Sequence, residues 1–290
     1  MIKDALGHVW VRVTARCLRF KWRLQVAIRR RLQRTSIRHG WGSFPVLIYQ
    51  VGKVGSSSVY SSLKRRRIAC VHVHRIDPEN IGKLAAERMR SGLPVKDERL
   101  GLAIHHRLRH GAEKVRIITM VREPLSRNIS AFFENLTDFY GGSPLDSISV
   151  DEAVRRFLGE YPHHVPLEWF DLEFARVTGI SVFDHPFPHE QQWSVIKEGR
   201  FEILVIRVEA PDPVKKAALE QFLGIDNLEM VRANEGGGKN YATLYDDFRK
   251  RIRIPASYVD EMLDSRYARH FYSGAELSKV REAWQGKVER

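Results

Sequence analysis

Cysteine is nearly absent from this chain. Two residues, Cys17 and Cys70, among 290 cannot build a disulfide framework, and both lie in apolar surroundings, which predicts inert buried thiols in a reducing compartment. Long apolar runs are missing too: no stretch of 18 or more apolar residues occurs, so no membrane-spanning helix is expected. The first residues lack the basic, apolar, small-residue succession of a secretory signal. A cytoplasmic location is expected, peripheral at a membrane surface if the N-terminal segment binds one. Internal repeats and low-complexity tracts are absent as well. What remains is an ordinary apolar fraction of 43% in a chain long enough for one large α/β domain with a substantial core.

Positive charge is abundant, but only at one end. Residues 1–40 carry eleven Lys and Arg against Asp4 alone, a net of +10, which leaves +3 of the total +13 for the other 250 residues. The division predicts a basic arm, 1–40, followed by one domain, 41–290. Within the arm Trp10, Val13, Cys17, Phe20, Leu24, Ile28 and Leu32 recur at three- and four-residue steps, an apolar helical stripe flanked by arginines. Two readings stand for residues 5–34: a helix lying on an anionic membrane surface or other polyanion, or one packing its stripe on the domain. No nucleic-acid partner is expected.

The domain opens with "PVLIYQVGKVGSSSVYSSLKRR" (45–66), an apolar strand, a glycine–lysine–serine loop and a helix. "IACVHVH" (68–74), "VRIITMV" (115–121) and "FEILVIRV" (201–208) read as three further strands. Helices are expected from Pro78 to about Arg90, from Pro124 to about Asn135, over 149–178, and from Pro213 to near Gly224. The segment 92–113 gives no clear signal. Strands separated by helices imply a parallel central sheet flanked by helices, with ligands outside the carboxyl ends of the strands.

Three strand ends therefore carry the chemistry. After the first come Gly52, Lys53, Val54, Gly55, Ser56, Ser57 and Ser58, suited to an anion by helix-start amides, hydroxyls and a mobile charge. A nucleotide hydrolase places its lysine after the second glycine; here Lys53 precedes Gly55. After the third strand stands Arg122, where a magnesium enzyme often places a carboxylate. It reads either as recognition of a second anion, with Ser130 eight residues on, or as a structural ion pair, and Arg127 reads equally well as a solvated surface charge. After the second strand, His72 and His74 share one face. Either suits general-base work near neutral pH, with Asp77 a candidate to orient one imidazole and Glu134 the next candidate base. Trp169, Phe170, Trp193 and Tyr241 read as sugar-stacking aromatics or as core. No Cys/His cluster has zinc spacing, so no metal is expected.

Lys-x-Gly-Ser-Ser-Ser after one strand with Arg-x₇-Ser after another resembles the sulfotransferases that use 3′-phosphoadenosine 5′-phosphosulfate (PAPS). The stretches "VREPLSRNISAFFENL" and "HFYSGAEL" also resemble proteins labelled for capsular polysaccharide synthesis. The sulfotransferase resemblance, concentrated in 45–60 and 115–135, implies a P-loop-like fold and PAPS as sulfuryl donor. It implies Lys53, Val54, Gly55, Ser56, Ser57 and Ser58 at the 5′-phosphosulfate, and Arg122 with Ser130 at the 3′-phosphate. His-x-His then matches the strand end that bears the base in heparan-type members, His74 being favoured, and the acceptor is a carbohydrate hydroxyl. Lys239 in "NEGGGKNYATLY" (234–245) stands where cytosolic members close the donor site, or in a plain loop. The rivals are a metal-dependent nucleotide kinase and a non-catalytic polyanion-binding protein.

Overall fold

The computed structural model describes residues 31, 33–37, 42–95, 98–136, 140, 148–231 and 241–289. Most of the basic arm with its stripe, the glycine run 236–238 and Lys239 lie outside these residues. Residues 33–37 are helical, and Ile37 is buried in the domain core.

Alternation of apolar residues makes the central sheet. Strands β1 (Val46–Tyr49), β2 (Cys70–Val73), β3 (Val115–Val121) and β5 (Phe201–Arg207) lie parallel in the order β2-β1-β3-β5. All are almost wholly buried, the pattern of a sheet covered on both faces. Successive side chains divide between two cores. Val46, Ile48, Ile118, Met120, Leu204 and Ile206 pack with Val59 and Leu63 of α1 (Ser56–Arg65) and with the helix Asp212–Leu223. Leu47, Tyr49, Val71, Val73, Ile117, Ile203 and Val205 face the larger core. That side is covered by α3 (Arg99–His110), against which α2 (Pro78–Arg90) packs, and by α4 (Pro124–Glu134), α5 (Val150–Glu160) and the C-terminal helices.

Two expectations need correction. The sheet has five strands: β4 (Trp193–Glu198) pairs antiparallel with β5, through a two-residue turn whose first position is Gly199 at φ 54°. The alternation in "WSVIKE" and that glycine are the hairpin signal, and they put Trp193 in an edge strand. The single helix expected over 149–178 is broken. After α5 the chain turns at Tyr161 and Pro162, which has no amide to continue the ladder. It resumes as α6 (Val165–Trp169), a π-helix (Phe170–Ala175) and α7 (Arg176–Thr178). The unclear segment 92–113 holds α3.

The strand order sets the position of the site. From β1 the chain passes to β2 on one side, then crosses to β3 on the other. Their connections diverge at the carboxyl end of β1, where an open α/β sheet leaves its ligand crevice. The loop 50–55 and Arg122 both stand there.

Candidate active site

Gly52, Lys53 and Gly55 have φ of 88°, 61° and 74°. Lysine in that region costs roughly 1–3 kcal/mol unless its surroundings enforce it. Two arginines do so. Arg127 donates from Nε to Gly52 O at 3.3 Å and from Nη2 to Val51 O at 3.2 Å, and Arg122 donates from Nη1 to Lys53 O at 3.2 Å. Gly55 admits no other residue cheaply, since a Cβ would stand 2.4 Å from Val208 Cγ2. With three carbonyls drawn to the arginines, the chain enters α1, whose N-terminus has no side-chain cap and no acid in its first turn. Amides at such a start lack intrahelical partners, and the helix dipole adds to their preference for an anion.

Arg127 is the first departure from expectation at this site. It is 4% exposed, with Nη1 on Asn128 Oδ1 at 3.1 Å and on the Tyr161 hydroxyl at 3.0 Å. A buried fork with four oxygen acceptors is the loop's floor, not a solvated charge. Arg122 is half-buried, its backbone amide and carbonyl both held by the Tyr267 hydroxyl at 3.1 and 3.0 Å. Glu123, the next residue, is buried and caps α4 by accepting from Leu125 N and Ser126 N; burial, then the nearby Glu209, raises its pKa. Lys53 Nζ lies 3.1 Å from Glu134 Oε2, which also accepts from the Tyr241 hydroxyl at 3.1 Å. Ser130 is half-buried on α4. Arg127 three residues before it and Glu134 four after both reach the loop, so Ser130 sits on the helix face turned toward it.

The histidines come together as their spacing predicts, with ring centroids 4.9 Å apart, but their environments differ. His72 is stacked on Tyr60, with Nε2 2.7 Å from Gln50 Nε2 and 2.9 Å from Ser56 Oγ. Burial, then the charge of His74, pulls its pKa down to about 4, so it stays neutral near pH 7. The Gln50 amide also donates to Ser56 Oγ at 2.6 Å, which ties Ser56 into this underside. His74 is exposed. Its Nδ1 is 3.0 Å from Gln50 O and 3.4 Å from Gln50 Nε2. The carbonyl is the nearer partner and accepts only, so Nδ1 carries the proton and Nε2 the lone pair. The ring lies against the loop: a Cβ on Gly52 would meet it at 3.6–3.9 Å.

Asp77 does not orient an imidazole. Its carboxylate caps α2 by accepting from Asn80 N at 3.0 Å, a task its place before Pro78 gives it. Gln50, the polar residue closing the apolar run of β1, performs the expected orienting role. Trp169 and Phe170 are core residues, 9% and 3% exposed. Burial pushes the Cys70 thiol up to about 11, as an inert cysteine requires. Among the described residues no group of three His, Cys, Asp or Glu side chains is placed to hold a metal ion, and no helix is long and apolar enough to cross a membrane.

Residues 164–273 match the model of a family described as "Putative capsular polysaccharide synthesis protein", which suggests a role in polysaccharide biosynthesis and a biosynthetic enzyme. The match includes the π-helix and Tyr267 but leaves out the loop, the two histidines and Arg122. No curated protein and no solved structure matches the chain.

Proposed function

We propose that this protein transfers a sulfuryl group from PAPS to a hydroxyl of a carbohydrate, on a P-loop-like sulfotransferase fold. One observation carries the reading. A helix start without a side-chain cap, at the sheet's switch point, follows Lys53, is backed by two arginines and is flanked by the His74 imidazole, which lies against Gly52 with Nδ1 on Gln50 O. The residues fit a ligand with two anionic groups. Lys53, Val54, Gly55 and the serines would hold the 5′-phosphosulfate, Arg122 and Ser130 the 3′-phosphate, and Lys239 is a further candidate toward the donor. The donor supplies an activated sulfuryl group; the chain supplies position and charge. His74 takes the proton of the attacking hydroxyl, while Lys53 and the α1 amides offset charge on the departing phosphate. Holding both partners in line removes much of the entropic barrier. The family description supports a saccharide acceptor.

The test is thermal denaturation with adenosine 3′,5′-bisphosphate against AMP. At one hundred times its dissociation constant a specific ligand adds about 2.7 kcal/mol. The bisphosphate should stabilise the protein far more than AMP does, and Arg122→Ala should erase most of that difference. Equal shifts from the two nucleotides, or magnesium-dependent turnover of ATP, would overturn the reading.

A further inference from the structure

Glu173 is a carboxylate buried to 3% exposure in the larger core, and nothing so far gives it work. It lies in the π-helix Phe170–Ala175, and such turns recur at functional sites. Its Oε1 accepts from the Tyr49 hydroxyl at 2.6 Å, from Ile76 N at 2.6 Å and from Asp77 N at 3.0 Å; its Oε2 accepts from Asn80 Nδ2 at 2.7 Å. Four residues earlier, Trp169 donates from Nε1 to His74 O at 3.3 Å. These donors belong to the two strand ends that meet at the site. Tyr49 is the last residue of β1, immediately before Gln50, whose carbonyl accepts from His74. Ile76 and Asp77 follow His74 by two and three residues.

We propose that Glu173 is the positioning residue for the His74 imidazole, tying the ends of β1 and β2 together so that Nδ1–H stays on Gln50 O and Nε2 faces the loop. The segment grips the chain around His74 at two places, at its own carbonyl through Trp169 at the end of α6 and at the two amides beyond Arg75 through Glu173 of the π-helix. The parallel ladder ends with Tyr49 opposite Val73, and Glu173 carries the tie between the two strands past that last pair. A carboxylate suits this role because its oxygens offer several acceptor sites, and an amide oxygen offers fewer. Any value of this placement for transfer rests on the reading of His74 as the base; the placement itself does not.

The experiment uses the full chain labelled with ¹⁵N at histidine, the His74 signals being assigned by their loss in His74→Ala. In the wild type the His74 nitrogens should report a proton on Nδ1 and a bare Nε2. Glu173→Gln should shift them toward the Nε2–H form that an unconstrained imidazole favours. The affinity for adenosine 3′,5′-bisphosphate should change less than about twofold, and turnover should fall on the order of ten- to a hundredfold. A merely structural role would lower the melting temperature without moving the tautomer. An unchanged His74 signature in folded Glu173→Gln overturns the proposal. If that variant does not fold, Tyr49→Phe, which leaves Glu173 its three other donors, takes its place. A partial tautomer shift there supports the proposal, and none overturns it. Normal turnover in His74→Ala would instead remove the base assignment and leave the tautomer result standing.

Discussion

The loop after β1 has two sides that obey different rules. Its outer side carries Lys53, the α1 start, Arg122 and His74, in contact with solvent and paired through exposed or half-exposed groups. Its underside carries Gln50, Ser56, His72 and Arg127, all but His72 less than a tenth exposed. On the proposed function the outer groups meet a ligand that comes and goes; the inner groups hold the loop in this shape. Lys53 and Arg127 divide these tasks between them, while Arg122, donating to Lys53 O, belongs to both sides; Lys53 and Arg127 are therefore the pair whose effects measurement can separate.

The largest effect should come from the outer side and leave folding untouched. Lys53→Ala removes the charge nearest the departing phosphate and should lower turnover on the order of 10²–10³-fold. Its ion pair with Glu134 is partly exposed, so stability should change by less than about 1 kcal/mol. A Lys53→Ala chain that unfolds at markedly lower urea would erase the distinction between the two sides. Arg127→Met probes the underside: two loop carbonyls, Asn128 Oδ1 and the Tyr161 hydroxyl lose their donor. Urea denaturation should report a loss on the order of 3 kcal/mol, and Arg127→Lys should restore little, because one ammonium does not span the fork.

Acid sharpens the comparison further. The folded protein holds His72 at about 4, whereas the unfolded chain takes up the proton near 6.5. Between these values the unfolded state binds more protons, so stability falls as pH drops from about 6.5 to 4 and levels off below. The contribution is on the order of 2–3 kcal/mol. His72→Gln should therefore flatten the stability profile across that window; a profile as steep as the wild type's would show that His72 is not the group responsible. The smallest effect returns to the outer side. Glu134 competes for Lys53, so Glu134→Gln should raise affinity for adenosine 3′,5′-bisphosphate about two- to fivefold, the scale of an exposed ion pair. Calorimetry showing weaker binding would mean that Glu134 helps hold the ligand.

Arg127 and Glu173 also mark where reading the chain residue by residue stops. A lysine between two glycines after a β-branched strand is a local pattern, and so is an arginine right after the next buried strand; both motifs lie within a dozen residues. Arg127 follows Ser126 in a polar-looking helix turn, and nothing local distinguishes a solvated arginine from one that closes a floor. Glu173 sits in "WFDLEFA", with its four donors 93 to 124 residues away. β4 is legible in its alternation and its glycine turn, but as a half-buried edge strand it carries no apolar run like those of the other four.

Strand and helix periods, the capping prolines and the loop's composition are set by interactions within a few residues, so the sequence by itself determined a mostly parallel α/β sheet and a glycine–lysine–serine loop at the end of its first strand. It determined as well that His72 and His74 point the same way, because alternate residues of a strand share a face. Which histidine is half-buried with a lowered pKa, and which lies exposed against the loop with Nδ1 on Gln50 O, was decided only by tertiary structure. Desolvation and hydrogen-bond partners depend on chain segments brought from far along the sequence: Gln50 from just past β1, Tyr60 from α1, Trp169 from α6 and Glu173 from the π-helix.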